Sequence, residues 1–361
     1  MGKWEMVSFE DALDDVTKLA TKIKKERYLS NGDYQIVDQG KDYIAGYSDE
    51  EEGIYSDIPV IVFGDHTRVI KYVCVPLFIG ADGVKLLKVK RSDLETKFVY
   101  YYLKSRRIID TGYNRHFKWL KEFGIPVPSL EEQQQIINTL DEINMLISLR
   151  KQQLEELDLL VKSRFVEMFG NELNRTQITL KDACTIITDG THQSPKFVSD
   201  GVPFLFVSNI VDGNIDYNTQ KFISHDEYKS LIKRTPVEIG DILFTIVGSY
   251  GNPAIVKFEK EFCFQRHIAY LKPMRTKFAS EYLHSVLQAS YVKEQVERRV
   301  KGIAQKTLNL FELKEIKING PPLPLQNRFA DFVHQTDKSK FIIDYEANLA
   351  IMLYESLSHA L

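Results

Sequence analysis

Cysteine is scarce in this sequence, and its three copies lie far apart. Cys74, Cys184 and Cys263 are odd in number and form no Cys-x-x-Cys arrangement, which argues against a disulfide framework or a zinc ribbon. The histidines likewise have no ligand spacing such as His-x-x-x-His. The sequence therefore predicts no bound metal, and a reducing compartment fits it best.

Long apolar runs and an excess of charge of one sign are also lacking. No segment approaches the roughly 18 consecutive apolar residues of a membrane-spanning helix, and residues 1–6 contain no apolar signal-peptide core. The formal net charge is -3, so any contact with nucleic acid depends on locally placed Lys and Arg. With 361 residues, 43% of them apolar, the chain is long enough for two packed cores. We expect a soluble cytoplasmic protein with no membrane contact.

Catalytic motifs are missing as well. No Gly-x-x-x-x-Gly-Lys-[Ser/Thr] loop occurs, and residues 319–322 (Asn-Gly-Pro-Pro) have the wrong order for an adenine methyltransferase motif. Asp93, Glu95 and Lys97 imitate part of a nuclease site, but they stand where a helix is predicted to begin, a position that favours acidic residues. The sequence predicts neither catalysis nor a cofactor.

The sequence does contain an internal repeat. Residues 7–12 match residues 178–183 at an offset of 171 (178 minus 7). Gln133 and Ser163 match Gln326 and Ser356 at an offset of 193 (326 minus 133; 356 minus 163). The second copy therefore carries about 22 extra residues in its interior (193 minus 171).

Each copy ends in a predicted long amphipathic helix. The first follows Pro126 and Pro128, where Ser129 and Glu132 can form a capping box, and it stops at Gly170. Apolar residues recur at three- and four-residue spacing in the two helices, at Ile136, Leu140, Ile143, Ile147, Leu154, Leu157, Val161 and Met168, and at Phe329, Val333, Ile343, Ala347, Ala350, Tyr354, Leu357 and Leu361.

The first helix is too long to serve only its own module. From residue 132 to residue 168 it spans 37 residues, about 55 Å at 1.5 Å per residue. We interpret the two helices as an intramolecular antiparallel coiled coil; the alternative is that each helix docks on its own module.

The segments before each helix predict mixed α/β modules. Short apolar strands are expected at residues 59–63, 85–89, 204–207 and 241–247, and helices begin near Phe98 and Tyr282. The predicted fold class is α+β: two mixed α/β modules joined by two long helices in a pseudo-two-fold repeat.

With these features in order, the sequence resembles the specificity subunit of Type I restriction-modification systems over essentially its whole length. The resemblance rests on residues 63–68, 80–83, 189–192, 240–243 and 248–251, with the helix boundaries at 128–134 and 165–170. It implies target-recognition domains at residues 1–125 and 171–320, a central helical spacer at 126–170 and a C-terminal helical spacer at 321–361.

The resemblance also implies a role in host defence and a set of partners. These are double-stranded DNA, two methyltransferase subunits that form an M2S1 core, and restriction/translocase subunits that join through that core. The subunit itself is implied to be non-catalytic. Because the two modules are unequal, we expect an asymmetric, bipartite DNA site whose unread spacer is set by the helices.

Residues that contact DNA are expected on exposed polar loops. The candidates in the first module are His66, Thr67, Arg68, Lys71, Asn114, Arg115, His116 and Lys118. Those in the second are Thr191, His192, Gln193, Ser249, Tyr250, Gln265, Arg266, Gln305 and Lys306. A polar loop residue is more often a turn former or a solvated group, so the segments are better predictions than the individual residues.

A basic cluster near the end of the second module suits phosphate contacts, or equally a solvated helix face balanced by Glu294 and Glu297. Its members are Arg298, Arg299, Lys301 and Lys306. Two other functions stay open for the whole chain: a coiled-coil scaffold whose modules bind protein, and a stand-alone DNA-modifying enzyme with an unfamiliar site.

Overall fold

A computed structural model describes residues 4–80, 82–109, 112, 114–170, 172–173, 176–302 and 306–361. The chain divides into two compact units. Unit 1 comprises residues 1–152 and 344–361, and unit 2 comprises residues 153–343. Both division points fall inside the long helices, so each unit contains one module and a segment of each helix.

The described part of the module of unit 1 combines short strands with short helices. The strands are β1 (Glu5–Val7), β2 (Leu13–Asp15), β3 (Tyr34–Val37), β4 (Gly46–Ser48), β5 (Val60–Gly64), β6 (Ile70–Val73), β7 (Leu77–Ile79), β8 (Val84–Val89) and β9 (Ile125–Val127). The helices are α1 (Phe9–Ala12), α2 (Thr96–Ser105) and α3 (Phe117–Leu120), followed by the long α4 (Leu130–Phe169).

Unit 1 is built on an antiparallel sheet with the strand order β2-β8-β5-β6. All five residues of β5 (Val-Ile-Val-Phe-Gly) are buried, which is typical of a strand covered on both faces. A second sheet has the order β4-β3-β7, in which β3 and β7 are parallel, and β1 pairs with β9 where the chain leaves for α4. The predicted strands at 59–63 and 85–89 are confirmed to within one residue.

Unit 2 repeats this plan with additions. Its strands are β10 (Gln177–Thr179), β11 (Cys184–Asp189), β12 (Phe197–Val198), β13 (Val202–Leu205), β14 (Ile210–Val211), β15 (Asn214–Ile215), β16 (Phe222–Ile223), β17 (Ile242–Thr245), β18 (Pro253–Ile255), β19 (Cys263–Phe264), β20 (Ile268–Pro273) and β21 (Lys317–Asn319). Its helices are α5 (Leu180–Ala183), α6 (His225–Leu231), α7 (Ser280–Leu287), α8 (Ser290–Arg299) and α9 (Leu310–Lys314), followed by the long α10 (Leu323–Ala360).

The repeat is visible in the strand order and in the helix caps. The sheet β11-β20-β17-β18 has the same order and antiparallel pairing as β2-β8-β5-β6 of unit 1. In both units a hydroxyl caps the first short helix: Ser8 accepts from the backbone N–H of Asp11, and Thr179 accepts from that of Asp182. The predicted match of residues 7–12 with 178–183 is therefore confirmed as one strand-to-helix turn in two copies.

The extra residues of the second copy have identifiable places. The offset between equivalent residues of the two copies is 171 at residues 7 and 178 and 184 at the first residues of helices α2 and α7 (280 minus 96). It reaches 193 at Gln133 and Gln326. The first increase falls in the part of unit 2 that contains the β14–β15 hairpin and α6, and the second falls where α8 is added. The additions lie around the sheet and leave its strand order intact.

The long helix α4 begins and ends where its capping box and its terminal glycine predict. Ser129 and Glu132 form the reciprocal hydrogen bonds of a capping box, and Gly170 follows α4 with a φ of 75°. In unit 1, Arg150 of α4 forms an ion pair with Glu346 of α10 (3.0 Å). In unit 2, Phe165 of α4 packs on Phe329 of α10 with ring centroids 5.6 Å apart. Asp158 also binds Lys340 in unit 2, and in unit 1 Tyr101 contacts both Asp141 of α4 and Tyr354 of α10. In each unit the residue numbers rise along α4 as they fall along α10, so the segments run antiparallel.

The helices also dock on the modules. In unit 1, Lys97 and Tyr101 of α2 both bind the carboxylate of Asp141 on α4 (2.6 and 2.5 Å). In unit 2, Gln326 of α10 accepts from the N–H of Ala279, the N-cap residue of α7 (3.0 Å). The helix pairing and the docking alternative are therefore both realised. None of the helices in the described part of the chain combines the length and hydropathy needed to cross a membrane.

Candidate nucleic-acid interface

The polar loops of unit 2 meet at one end of its main sheet. Strand β11 ends at Asp189, β17 ends at Thr245, and β20 begins at Ile268; antiparallel pairing places these three positions side by side. We call residues 189–193, 246–252 and 264–267 the loop end of unit 2. Loops at the ends of strands are held by a rigid scaffold while their side chains remain exposed.

Backbone hydrogen bonds tie these loops to each other. The N–H of Arg266 donates to the carbonyl of Thr191 (2.9 Å), and that of Ile246 donates to the carbonyl of His267 (2.9 Å). The N–H of Gly248 donates to the carbonyl of Lys306 (3.0 Å). The structure thus gathers Thr191, His192, Gln193, Ser249, Tyr250, Gln265, Arg266 and Lys306 in neighbouring loops. Gln305 lies outside the described residues.

Gly190 allows the first of these loops to approach the third. A Cβ atom at this position would lie 2.2 Å from the carbonyl oxygen of Phe264 and 2.5 Å from that of Gln265. Both atoms belong to the backbone and cannot move aside, so only glycine fits between β11 and Thr191. This explains the glycine in the Asp-Gly-Thr-His segment.

The basic cluster of unit 2 is largely paired with carboxylates. Arg298 binds Glu294 (3.1 Å), while Arg299 and Lys301 both approach Glu312 (3.7 and 3.5 Å). The Lys306 ammonium donates to the hydroxyl of Tyr250 (3.3 Å), and this contact raises the pKa of Lys306. The charges of Arg298, Arg299 and Lys301 are therefore balanced by carboxylates, with Glu312 in place of Glu297 as a partner, while their contact with phosphates stays a prediction. Arg266 has no carboxylate partner within the described residues.

Unit 1 has a corresponding arrangement around the turn between β5 and β6. Asp65 is buried; its carboxylate accepts from the N–H of Phe117 (2.7 Å), and its carbonyl accepts from that of His116 (2.8 Å). The ring of His66 lies 3.2 Å from the carbonyl oxygen of Asn114. These bonds fasten residues 114–117 to the turn, so two loops that are far apart in sequence form one loop end of unit 1, which we define as residues 65–69 and 114–118.

Two sequence candidates in unit 1 face the interior. The Lys71 ammonium is buried on β6 and donates to the carbonyls of Asp38 (2.8 Å) and Asp42 (2.6 Å); burial lowers its pKa. His116 is fully buried and approaches the carbonyl of Asp65 through Nδ1 (3.0 Å). Both positions hold the module together, and neither side chain is available to DNA as the module stands. Thr67, Asn114, Arg115 and Lys118 are exposed, and His66 and Arg68 are half-buried.

Arg234 is a residue that sequence reasoning missed. It follows α6, in a part of unit 2 that has no counterpart in unit 1, yet its guanidinium binds the carboxylate of Asp189 at 2.5 Å. Nothing in the local sequence indicates that a residue 45 positions away reaches the loop end. Only the path of the chain around the sheet brings the two together.

Comparison with known proteins shows one family over nearly the whole chain. The model of the Type I restriction modification DNA specificity domain matches residues 1–159 and again residues 175–351. The chain is 27% identical over 212 residues to the Type I restriction enzyme EcoBI specificity subunit of Escherichia coli, a match covering 59% of this chain but 43% of that protein. It is 24% identical over 298 residues to the MjaVIII specificity subunit of Methanocaldococcus jannaschii, covering 72% of this chain and 69% of that one.

Solved structures share the fold at low sequence identity. The S subunit of a Type I restriction-modification system from M. genitalium aligns over 99% of this chain and 95% of its own, with a TM-score of 0.57 and 18% identity. A chain from a study of complex assembly and conformational transition of the type I R-M system aligns over 98% and 96%, with a TM-score of 0.53 and 16% identity.

Proposed function

Because this chain belongs to the family of Type I restriction-modification DNA specificity domains, we propose that it is the subunit that reads the DNA sequence for such a complex. It reads an asymmetric site in two parts and directs methyltransferase and restriction subunits to that site. The observation that carries this proposal is the duplicated sheet, whose strand order is the same in both units while the loops at its end differ. We assign target recognition to residues 1–125 and 171–320 and the spacer role to residues 126–170 and 321–361.

Two different loop ends suit two different half-sites. A matched base pair contributes about 1–3 kcal/mol of discrimination, so two modules that each read a few pairs multiply their selectivities. The proposed contacts in unit 1 are His66, Thr67, Arg68, Asn114, Arg115 and Lys118. In unit 2 they are Thr191, His192, Gln193, Ser249, Tyr250, Gln265, Arg266 and Lys306, with Gln305 a further candidate.

The residues that imitate catalytic motifs have structural roles instead. Glu95 is the N-cap residue of α2, and Lys97 binds Asp141 of α4. Asn319 ends β21 and is buried, and its side-chain amide donates to the carbonyl of Glu172 (2.9 Å). These placements support a subunit that recognises DNA and leaves the chemistry to its partners.

The proposal is tested by selecting bound duplexes from a random pool, with the chain assembled on its methyltransferase partner. We expect enrichment of two short specific elements at one fixed separation. Enrichment of a single uninterrupted element, or of none, would contradict it. A scaffold whose modules bind protein predicts no sequence preference with or without the partner.

The exposed apolar side chains of the long helices are the proposed docking surface for methyltransferase subunits. In unit 1 these are Met145, Leu146 and Leu149 on α4, and Leu349, Met352 and Leu353 on α10, each at least 40% exposed. Exposed apolar residues gathered on helices that already pack through their other faces are typical of an interaction surface.

The double variant Leu349→Glu with Met352→Glu is expected to weaken assembly with the methyltransferase at least about tenfold, because two charges would be buried without partners. Co-purification and sedimentation measure this loss, and circular dichroism should show an unchanged fold. Gln134→Glu, an exposed position on α4 about three helical turns before Met145 and outside this surface, is the control and should assemble normally. Equal assembly of the double variant and the control would contradict this docking surface.

A further inference from the structure

One buried carboxylate at the loop end of unit 2 organises two basic side chains. Asp189, whose side chain is 10% exposed, binds Arg234 through Oδ1 (2.5 Å) and His192 through Oδ2 (2.9 Å). Arg234 and His192 are themselves half-exposed, at 53% and 51%. The carboxylate therefore fixes two hydrogen-bonding groups in place at the surface, one on each oxygen.

These side chains border a cleft of about 260 Å³. Thr191, Ser230 and Thr235 contribute to its walls, and Phe264 is part of its apolar lining. A wall of donors beside an apolar surface suits the edge of a planar, acceptor-bearing group. The cleft lies among the loops that hold the other proposed DNA contacts of this unit.

Arg234 keeps most of its donors for a ligand. Within the described residues, its Nη2 atom is bound to Asp189 and, at 3.3 Å, to the hydroxyl of Thr188, while Nε and Nη1 have no acceptor. A guanidinium carries five N–H donors in a fixed plane. Because the bond to Asp189 already restricts the side chain, less side-chain freedom is left to lose on binding.

The charge of this group favours a base over a phosphate. Asp189 cancels the positive charge of Arg234 at contact distance, so the pair exerts little net attraction on a phosphate. Its oriented donors are unaffected by that cancellation. In the major groove, guanine presents two adjacent acceptors, O6 and N7, and an arginine that donates to both is the commonest specific contact between protein and DNA. Donating to both takes Nη2 together with Nη1 or Nε, so the base would receive the hydrogen that Nη2 now directs at Thr188 (3.3 Å), while the bond to Asp189 is kept.

We propose that Arg234 reads a guanine in the half-site bound by unit 2, with Asp189 as its positioning residue. This rests on the proposed function, because it requires that the loop end of unit 2 contacts DNA. Beyond the proposed function, this proposal names one base of the DNA site and the side chain that selects it.

The same sheet provides a matched control. At its opposite end, Arg275 binds the fully buried carboxylate of Asp241 (3.1 Å), and Arg275 is 48% exposed. The pair thus has nearly the same chemistry and exposure as Arg234 with Asp189. It lies at the end where β17 begins, away from the loop end, so its loss should affect stability alone.

The test is position-by-position base preference, measured by duplex selection with the methyltransferase partner present, for the wild type and for Arg234→Ala, Arg234→Lys, Asp189→Asn and Arg275→Ala. We expect one guanine of one half-site to lose its preference by about 10- to 100-fold in Arg234→Ala. Arg234→Lys, which keeps the charge and loses the planar donors, should lose most of it. Asp189→Asn should lose part of it at the same position. The other half-site should be unchanged in all variants, and Arg275→Ala should keep every preference.

Three results would overturn the proposal. The first is a wild-type site with no guanine whose preference depends on Arg234. The second is a uniform weakening of binding to all sequences, together with a decrease of about one in the slope of log affinity against log salt concentration. This result would make Arg234 a phosphate contact. The third is an equal change in Arg275→Ala, which would reveal a general loss of folding. A wild type that enriches no two-part site would instead remove the proposed function, and this proposal with it.

Discussion

Removal of residues 146–149 from α4 together with residues 347–350 from α10 is expected to shorten the unread spacer of the DNA target by about one to two base pairs. Four helical residues span about 6 Å, and a base pair spans about 3.4 Å. The ion pair of Arg150 with Glu346 identifies residues 347–350 as the stretch opposite 146–149 in unit 1. Four residues make about 1.1 helical turns, so after the deletion the apolar residues of each helix still face the other helix.

Both half-sites should keep their bases, and affinity for the original site should fall at least about 100-fold, since two half-sites at the wrong separation cannot be bound together. Selection of bound duplexes by the purified chain measures the new spacing, because the deletion also removes Leu146, Leu149 and Leu349 of the proposed docking surface and is expected to weaken assembly with the methyltransferase. The control is deletion of residues 146–149 alone, which puts the two helices out of register and should lower stability without a defined new spacing. An unchanged spacer in the double deletion would refute the role of the helices in setting it.

Replacement of Gln133 by Leu is expected to lower the free energy of unfolding by about 3–5 kcal/mol. Gln133 is fully buried at the start of α4. Its Oε1 accepts from the N–H of Glu95 (2.8 Å), and its Nε2 donates to the carbonyls of Asp93 (2.7 Å) and Pro128 (2.9 Å). Leucine has about the same size but would leave these three backbone groups unsatisfied.

The equivalent Gln326→Leu should have a similar effect. Its side chain accepts from Ala279 N–H (3.0 Å) and donates to the carbonyls of Lys277 (3.1 Å) and Pro321 (2.7 Å). Gln134→Leu is the control, because Gln134 is exposed one position along the same helix, and a change below about 0.5 kcal/mol is expected there. Urea unfolding measures all three. Equal stability of Gln133→Leu and Gln134→Leu would show that the buried amide does not join α4 to its module.

The sequence repeat predicted these glutamines as equivalent positions, and the structure gives the reason. Each accepts from the N-terminal end of the preceding helix, α2 or α7, and donates to a carbonyl two residues before the start of its own helix. The same geometry needs an amide in both units, since only an amide offers an acceptor and two donors. The long helices were predictable for a similar reason: capping and apolar spacing are local features, and they mark α4 to within two residues at its start and one at its end.

The candidate interface was less predictable, because it depends on how distant segments meet. Lys71 and His116 are candidates because their side chains are polar, but the surrounding chain buries both and uses them to bind backbone carbonyls. Arg234 shows the reverse case: it stands in an inserted segment without a motif and reaches Asp189 only in the folded unit. Polar residue type predicts a loop, whereas exposure and partners are decided by tertiary contacts.

The most direct test is the sequencing of methylated bases in a host that carries this chain with its methyltransferase partner, compared with the same host without the chain. We predict one asymmetric motif made of two different half-sites, separated by a fixed number of unread base pairs and absent when the chain is absent. A single uninterrupted motif, or methylation that persists unchanged without the chain, would contradict the conclusion that its two units read DNA for the complex.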